Sequence, residues 1–269
     1  MALTVADRVR MMTRANPVRW VSIASLCILA TTSARSQSTD PSAILKKMSD
    51  YVTAQKSLSI TFDTDIEVLT SDLQKIQFAS SGQVQLNRPD NIRATRVGGY
   101  SDVEMVFDGK TLSLNSKDQN KFAQLEVAGS VDQLIETLRD KYAVALPGAD
   151  LLLKRVFDEM MGDVVDAKTV GRGVVDGVEC DHLAFRTPDV DWQIWIAVGA
   201  EPIPRKYVIT SKAVTGAPQY TLRIREWRNE IPNGAFVFHP APGAAKVSLE
   251  KLENIDEVPP GIVTAKDKK

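Results

Sequence analysis

Two long runs of alternating character stand back to back in this chain. In the first, Ile60, Phe62, Ile66 and Val68 alternate with Thr61, Asp63, Asp65 and Glu67. In the second, Ile76, Phe78, Val84 and Leu86 alternate with Lys75, Gln77, Gln83 and Gln85. Successive side chains of a strand point to opposite faces of a sheet, so each run lays its apolar groups on one face and its polar groups on the other. A helical period does not fit either run. The two make a hairpin with one face to bury. Ser80 and Gly82 interrupt the apolar side of the second run, as happens where a strand bends sharply.

Shorter strands follow at NIRATRV, VEMVFD, TLSLN and KFAQLEV, separated by turn residues at Gly98-Gly99, Asp108-Gly109 and 117–120. From about Val164 strands return at VVDAKTVGR, GVECDHLAFR, DWQIWIAV, PRKYVITS and QYTLRIREW, with a final short one at FVFHP. Three stretches instead carry the helical period. Asp40-Pro41 starts one, with Ile44, Leu45, Met48, Tyr51 and Val52 on one side. Ser130 caps VDQLIETLRDKYA, and after Pro147-Gly148 the pattern resumes through LLLKRVFDEMMGD. About ten or eleven strands in tight succession form an antiparallel meander, and so many cannot stay flat. The expected fold is α+β and mainly β: a strongly curved antiparallel sheet, an unclosed β-barrel, with helices covering its concave face. One domain spans 40–250, after a linker at 35–39 and before a polar C-terminal tail at 251–269.

The amino-terminal 34 residues stand apart. Arg8, Arg10, Arg14 and Arg19 precede the uncharged stretch VSIASLCILATTSA, in which Thr32 and Ala34 hold the small-residue positions that a signal peptidase requires. Its apolar core, about a dozen residues, is shorter than the roughly 20 needed to span a bilayer. Residues 1–34 therefore read as a cleavable signal peptide delivering the protein across the inner membrane to the periplasm. Cleavage there leaves one cysteine, Cys180, so no intramolecular disulfide can form and stability must come from the core. Glu179 and Asp181 flank it and disfavour a thiolate, so it is a packed thiol and not a nucleophile.

The charge balance, 33 Lys and Arg against 34 Asp and Glu, supplies no basic surplus to release counterions from a polyphosphate, and nucleic acid is not an expected partner. Only His182 and His239 could act as imidazole bases or ligands, and no HxH, HExxH or CxxC spacing surrounds them. Outward carboxylates at Asp63, Asp65 and Glu67 would lie about 6.6 Å apart along a strand, too far to share a cation unaided. No metal, cofactor or catalytic residue is expected, and the chain does not read as an enzyme. Trp192, Trp195 and Trp227, with Arg205, Lys206, Arg223 and Arg225 nearby, form the other notable group. Alternation puts Arg223, Arg225 and Trp227 on the exterior, where they could serve as a docking surface or simply pack across strands.

Three segments taken in order carry a resemblance: LNRPDNIRA at 86–94, FDGKTLSLNSKDQN at 107–120 and AFVFHPAPGA at 235–244. Together they resemble the bacterial lipoprotein-carrier superfamily of LolA and LolB. There a strand ends in an Arg-Pro turn, a later hairpin carries Asp-Gly-Lys-Thr-Leu, and a closing segment reads Phe-x-Phe-x-Pro. The second half, GVECDHLAFRTPDVDWQIWIAVGAEPIPRKYVIT, is similar to predicted periplasmic proteins of domain of unknown function 2092. The resemblance implies a LolA-like half-barrel whose hydrophobic hollow takes up acyl chains, and it implies that Arg88, in the Arg-Pro turn, bonds helix backbone as a lid latch. The expected ligand-binding residues are the apolar-face side chains Phe62, Ile66, Phe78, Val84, Leu86, Met105, Phe107, Trp192, Ile194, Tyr220, Leu222 and Ile224, facing Leu134 and Leu138 of a helix. The same pattern suits a plain core. Two functions follow: a periplasmic carrier of a lipid, acylated or other apolar ligand, with membrane contact at most transient, or a non-enzymatic subunit of a cell-envelope complex with a filled core and a protein partner.

Overall fold

The computed structural model describes residues 39–262 except 143, 145 and 260. The expected signal peptide, most of the linker and the end of the tail lie outside the described residues. Helix α1 (Pro41–Ala54) begins where the Asp40 carboxylate accepts a hydrogen bond from the Ser42 N–H at 3.0 Å, with Pro41 at the first turn. Strands β1 (Ser57–Leu69) and β2 (Lys75–Asn87) then form the long hairpin. Next come β3 (Asn91–Gly98), β4 (Asp102–Phe107), β5 (Thr111–Ser116) and β6 (Lys121–Glu126), each antiparallel to the one before.

Helix α2 (Val131–Tyr142) opens with reciprocal capping: Ser130 N–H donates to Gln133 Oε1 at 2.8 Å, and Gln133 N–H to Ser130 Oγ at 3.3 Å. The following segment, expected as one helix, is divided into a 3-10 turn at Ala149–Leu152 and the short α3 (Val156–Met161). A second meander runs through β7 (Asp166–Val175), β8 (Val178–Arg186), β9 (Val190–Ala197), β10 (Pro204–Ser211) and β11 (Gln219–Arg228).

The spatial order is β12-β6-β5-β4-β3-β2-β1-β11-β10-β9-β8-β7. Pairing of β1 with β11 fuses the two meanders into one sheet, and the outer strands β7 and β12 do not pair with each other. The sheet is curved and unclosed. Register shifts in β7, at the β9–β10 pair and between β1 and β11 supply local bends. Gly82 supplies another: a Cβ there would meet the Phe62 ring at 2.5 Å and the Thr95 carbonyl at 2.2 Å. Only glycine lets Phe62 lie across β2.

The expected last strand FVFHP is not one. Residues 235–240 are turn and coil, because Pro240 and Pro242 cannot donate to a ladder. The chain pairs five residues beyond Pro240 instead, as β12 (Ala245–Lys246), parallel to β6. Packing also continues past residue 250, the expected domain end: Leu252 is buried and residues 253–257 bond to the sheet.

Candidate functional site

The inner face of the sheet is set by the hairpin. Leu58, Ile60 and Phe62 of β1 stand opposite Leu86, Val84 and Gly82 of β2, and Phe62, Thr64 and Ile66 stand opposite Ile224, Leu222 and Tyr220 of β11. Across this face lie Leu45, Met48 and Val52 of α1, Leu134, Ile135 and Leu138 of α2, and Val156 and Met160 of α3, all in one buried cluster. Leu86, Phe107, Leu134, Leu138, Trp192, Ile194, Leu222 and Ile224 belong to it, with Phe62, Val84, Met105 and Tyr220 half-buried against it. Trp192 stacks on Phe185 at 3.9 Å and meets Tyr207 edge-on at 5.8 Å. Ile66 and Phe78 stand apart from that cluster, nearer the hairpin tip, where Phe78 packs edge-on against Tyr100.

The helices over this face are joined to it unequally. α1 lies close to α3 and to β7 and β8. α2 meets the sheet through its apolar side chains, and it is knitted instead to the 3-10 turn: Arg139 Nη2 pairs with Asp150 Oδ1 at 2.7 Å, and Asp132 Oδ2 accepts from the Lys154 N–H at 3.1 Å. Helix α2 and residues 149–154 thus hold together as a unit. Two ties bind that unit to the end of β2. The Val131 N–H donates to the Pro89 carbonyl at 2.9 Å. Arg88 is the other.

Arg88 donates through Nη1 to the Leu152 carbonyl at 2.6 Å and through Nε to the Gln55 carbonyl at 3.3 Å. One guanidinium therefore bridges the strand end, the 3-10 turn and the residue that ends α1. The Arg88–Pro89 peptide bond is cis. Burial lowers the guanidinium's pKa, and the charge of Asp132 opposes that shift. Its Nη2 is buried without a hydrogen-bond partner, so a half-buried charge has one donor unmet, a costly arrangement to keep.

At the far end of the same face sits a polar group that the sequence reading passed over. Arg96 is in register with Gly82 and Val103, on the side of Ile92 and Ala94. It pairs with Glu257 at 3.2 Å, and its Nη2 donates to the Ile255 carbonyl at 2.5 Å. An arginine in phase with apolar residues of NIRATRV was the available signal. Burial raises the Glu257 carboxyl despite Arg96. Burial also raises the phenol of neighbouring Tyr220, helped by the charge of Glu257 and opposed by that of Arg96.

The tryptophans do not gather on the exterior. Trp227 stands opposite Ile60 and packs against the core, because the β1–β11 register passes from Thr61↔Glu226 to Phe62↔Ile224 and leaves Arg225 unpaired. That extra residue turns Trp227 inward, whereas plain alternation sends it outward. Trp195 remains on the outer side, stacked on His182 at 4.0 Å with Lys206 Nζ 4.9 Å from the ring centroid. His182 Nε2 is also 2.9 Å from Gln193 Oε1. Cys180 is buried, and burial raises its thiol pKa against the opposing charge of Arg205.

Two of the exterior carboxylates, Asp63 and Glu67, are paired. Asp63 accepts from Ser81 and Arg225, and Glu67 accepts from the Gln219 N–H and pairs with Lys75. Two clefts also open on the sheet. One of about 510 Å³ lies between Asn91, Thr111 and Ser113 of the outer face and Phe236 and Phe238 of the C-terminal segment. Another, about 520 Å³, is lined by Asp63, Asp65, Ser81, Arg223 and Arg225. Neither lies among the expected lining residues.

The chain is thus an unclosed, almost wholly antiparallel barrel with helices packed across its hollow side. The chain belongs to the family described as predicted periplasmic protein, domain of unknown function 2092, which matches residues 42–250. Similar solved structures include an uncharacterized conserved protein from Thermus thermophilus, at 12% identity and TM-score 0.46, covering 77% of this chain and 97% of that one. Lipoprotein LppX of Mycobacterium tuberculosis matches at 15% identity and TM-score 0.45, covering 71% and 96%. The LolA superfamily protein NE2245 from Nitrosomonas europaea matches at 12% identity and TM-score 0.32, covering 75% and 99%. No curated protein matches the sequence.

Proposed function

We propose that this is a non-enzymatic binding or carrier protein of the periplasm, exported by its amino-terminal signal, that takes a lipid, acyl chain or similar apolar ligand between the concave sheet face and the helices. The observation that carries the reading is Arg88. One half-buried guanidinium, incompletely satisfied, joins the unit of α2 and the 3-10 turn to the sheet at Leu152. A latch of this kind holds a cover shut while leaving the apolar contact beneath it to be exchanged for another.

Magnitudes decide which ligands can make that exchange. Freeing Leu134, Ile135 and Leu138 from the sheet exposes aliphatic side chains at about 1.5–3 kcal/mol each. An acyl chain entering the same space regains about 0.8 kcal/mol per CH2. A chain of about six methylenes does no more than balance the lower cost, whereas one of about a dozen exceeds the higher. Long chains open the cover and short ones leave it closed.

The test is the release rate of a fluorescent long-chain fatty acid from the wild-type protein and from Arg88→Leu, with thermal melts to establish that both are folded. Charge-assisted hydrogen bonds of about 1.5–3 kcal/mol predict release faster by about ten-fold or more in the variant. Equal release rates from two folded proteins would remove Arg88 from the role of latch. Absence of uptake by either would leave a filled-core interaction subunit as the better account.

A further inference from the structure

After β11 the chain crosses the outer face of the first meander, where the Ala235 carbonyl accepts from Arg93 at 3.0 Å and Phe238 packs against Phe122. It pairs as β12 along the edge of β6. It then passes to the other side of the sheet. Glu257 meets Arg96, and Ser101 Oγ donates to the Asp256 carbonyl at 3.1 Å. Arg96 belongs to the concave face by register, so residues 255–257 cover the end of that face which the helices leave uncovered.

The charges are enclosed. The side chains of Arg96 and Glu257 are 23% and 13% exposed, and neighbouring Thr64, beside the Tyr220 phenol, is 1% exposed. Yet the pair is not fully satisfied: Arg96 Nε and Glu257 Oε2 are both buried without a hydrogen-bond partner. From this point the inner face is continuously apolar toward α1 and α2, through Phe62, Leu222 and Ile60. Along β1 the distance from Thr64 to Leu58 is about 20 Å at the rise of a strand, which suits an extended long acyl chain. An apolar face under a helical cover with a cationic group at one end has the chemistry of a fatty-acid site, and the chain's own carboxylate occupies the cationic end.

We propose that Arg96 forms an anion site at the mouth of the concave face, that Glu257 fills it in the free protein, and that the head group of a long-chain carboxylate displaces Glu257 on binding. The proposal rests on the reading of the concave face as an apolar-ligand site and adds the head-group chemistry to it. Displacement moves one carboxylate off Arg96 and another on, so charge is conserved in the buried site while the C-terminal segment is released to water. A neutral amphiphile of equal length gains the apolar face without the exchange.

The experiment compares oleate with oleyl alcohol on the full chain by titration of tryptophan fluorescence, in wild type, Glu257→Gln and Arg96→Gln, with hydrogen exchange followed over residues 252–259. Oleate should bind wild type tighter than the alcohol by about ten-fold or more, the ratio that a charge-assisted hydrogen bond to arginine supplies. Glu257→Gln should tighten oleate further, Arg96→Gln should abolish the preference, and oleate should speed exchange over 252–259. Equal affinity for the two probes in wild type, or oleate affinity unchanged by Glu257→Gln, would overturn the anion site while the apolar-ligand reading stands. Binding of neither probe to wild type or Glu257→Gln would overturn both.

Discussion

At the scale of single residues, charge sits in two kinds of surroundings in this protein. Asp63 lies on the outer face between Ser81 and Arg225. Burial alone would raise its pKa, but the hydrogen bonds from those two groups and the charges of Arg225 and Arg223 prevail and hold it below the ordinary 3.8. A depressed carboxylate stabilises the fold fully above its unfolded value, and that contribution disappears as pH falls through the folded one. Asp63→Asn should therefore be less stable than wild type at neutral pH, with the gap closing as pH falls below 3.8. Urea unfolding across that range checks this, and a gap independent of pH would contradict it. Glu257 has the opposite sign. Its raised carboxyl takes up a proton in the folded state before it would in the unfolded chain, so acidification favours its buried form.

At the scale of elements, the cover is the part whose stability the sequence sets most locally. α2 depends on the Ser130–Gln133 capping pair for its first turn. Ser130→Ala should weaken it by about 1 kcal/mol. If α2 moves as the cover, amide exchange over 131–142 should quicken and uptake of a long-chain ligand should speed up, while strands β1 and β2 stay protected. Unchanged exchange and uptake would count against a mobile α2. Elements such as the long hairpin were legible in the sequence because period two is a local property of the chain, and the caps at Asp40 and Ser130 because capping is local too. Trp227 was not legible. Its side depends on a bulge that exists only in the pairing of β11 with β1, far away in sequence. The FVFHP segment misled for the opposite reason: its aromatic alternation looks like a strand, while the prolines after it deny the ladder its donors. Arg96 shows the intermediate case, since its phase can be read from the strand but its partner, Glu257, lies in what the sequence presents as a polar C-terminal tail.

At the scale of the molecule, one sheet offers a single apolar concavity, and the chain covers it from two sides. Helices α1, α2 and α3 cover one end and residues 255–257 the other. Among the polar contacts that hold those covers in place are two made by arginine side chains, Arg88 to Leu152 and Arg96 to Glu257. Each involves a half-buried arginine with one buried donor left unmet. A permanent core gains more stability from well-packed apolar groups than from buried charges of this kind. The two contacts make better sense as closures than as staples, and the apolar face they close over is the proposed binding site. The most direct measurement is native mass spectrometry of the full protein purified from its cell envelope, before and after incubation with long- and short-chain fatty acids. The account predicts a retained lipid mass or uptake of the long chain, and no uptake of a chain of about six carbons. A bare polypeptide mass that stays bare in the presence of the long chain would contradict it.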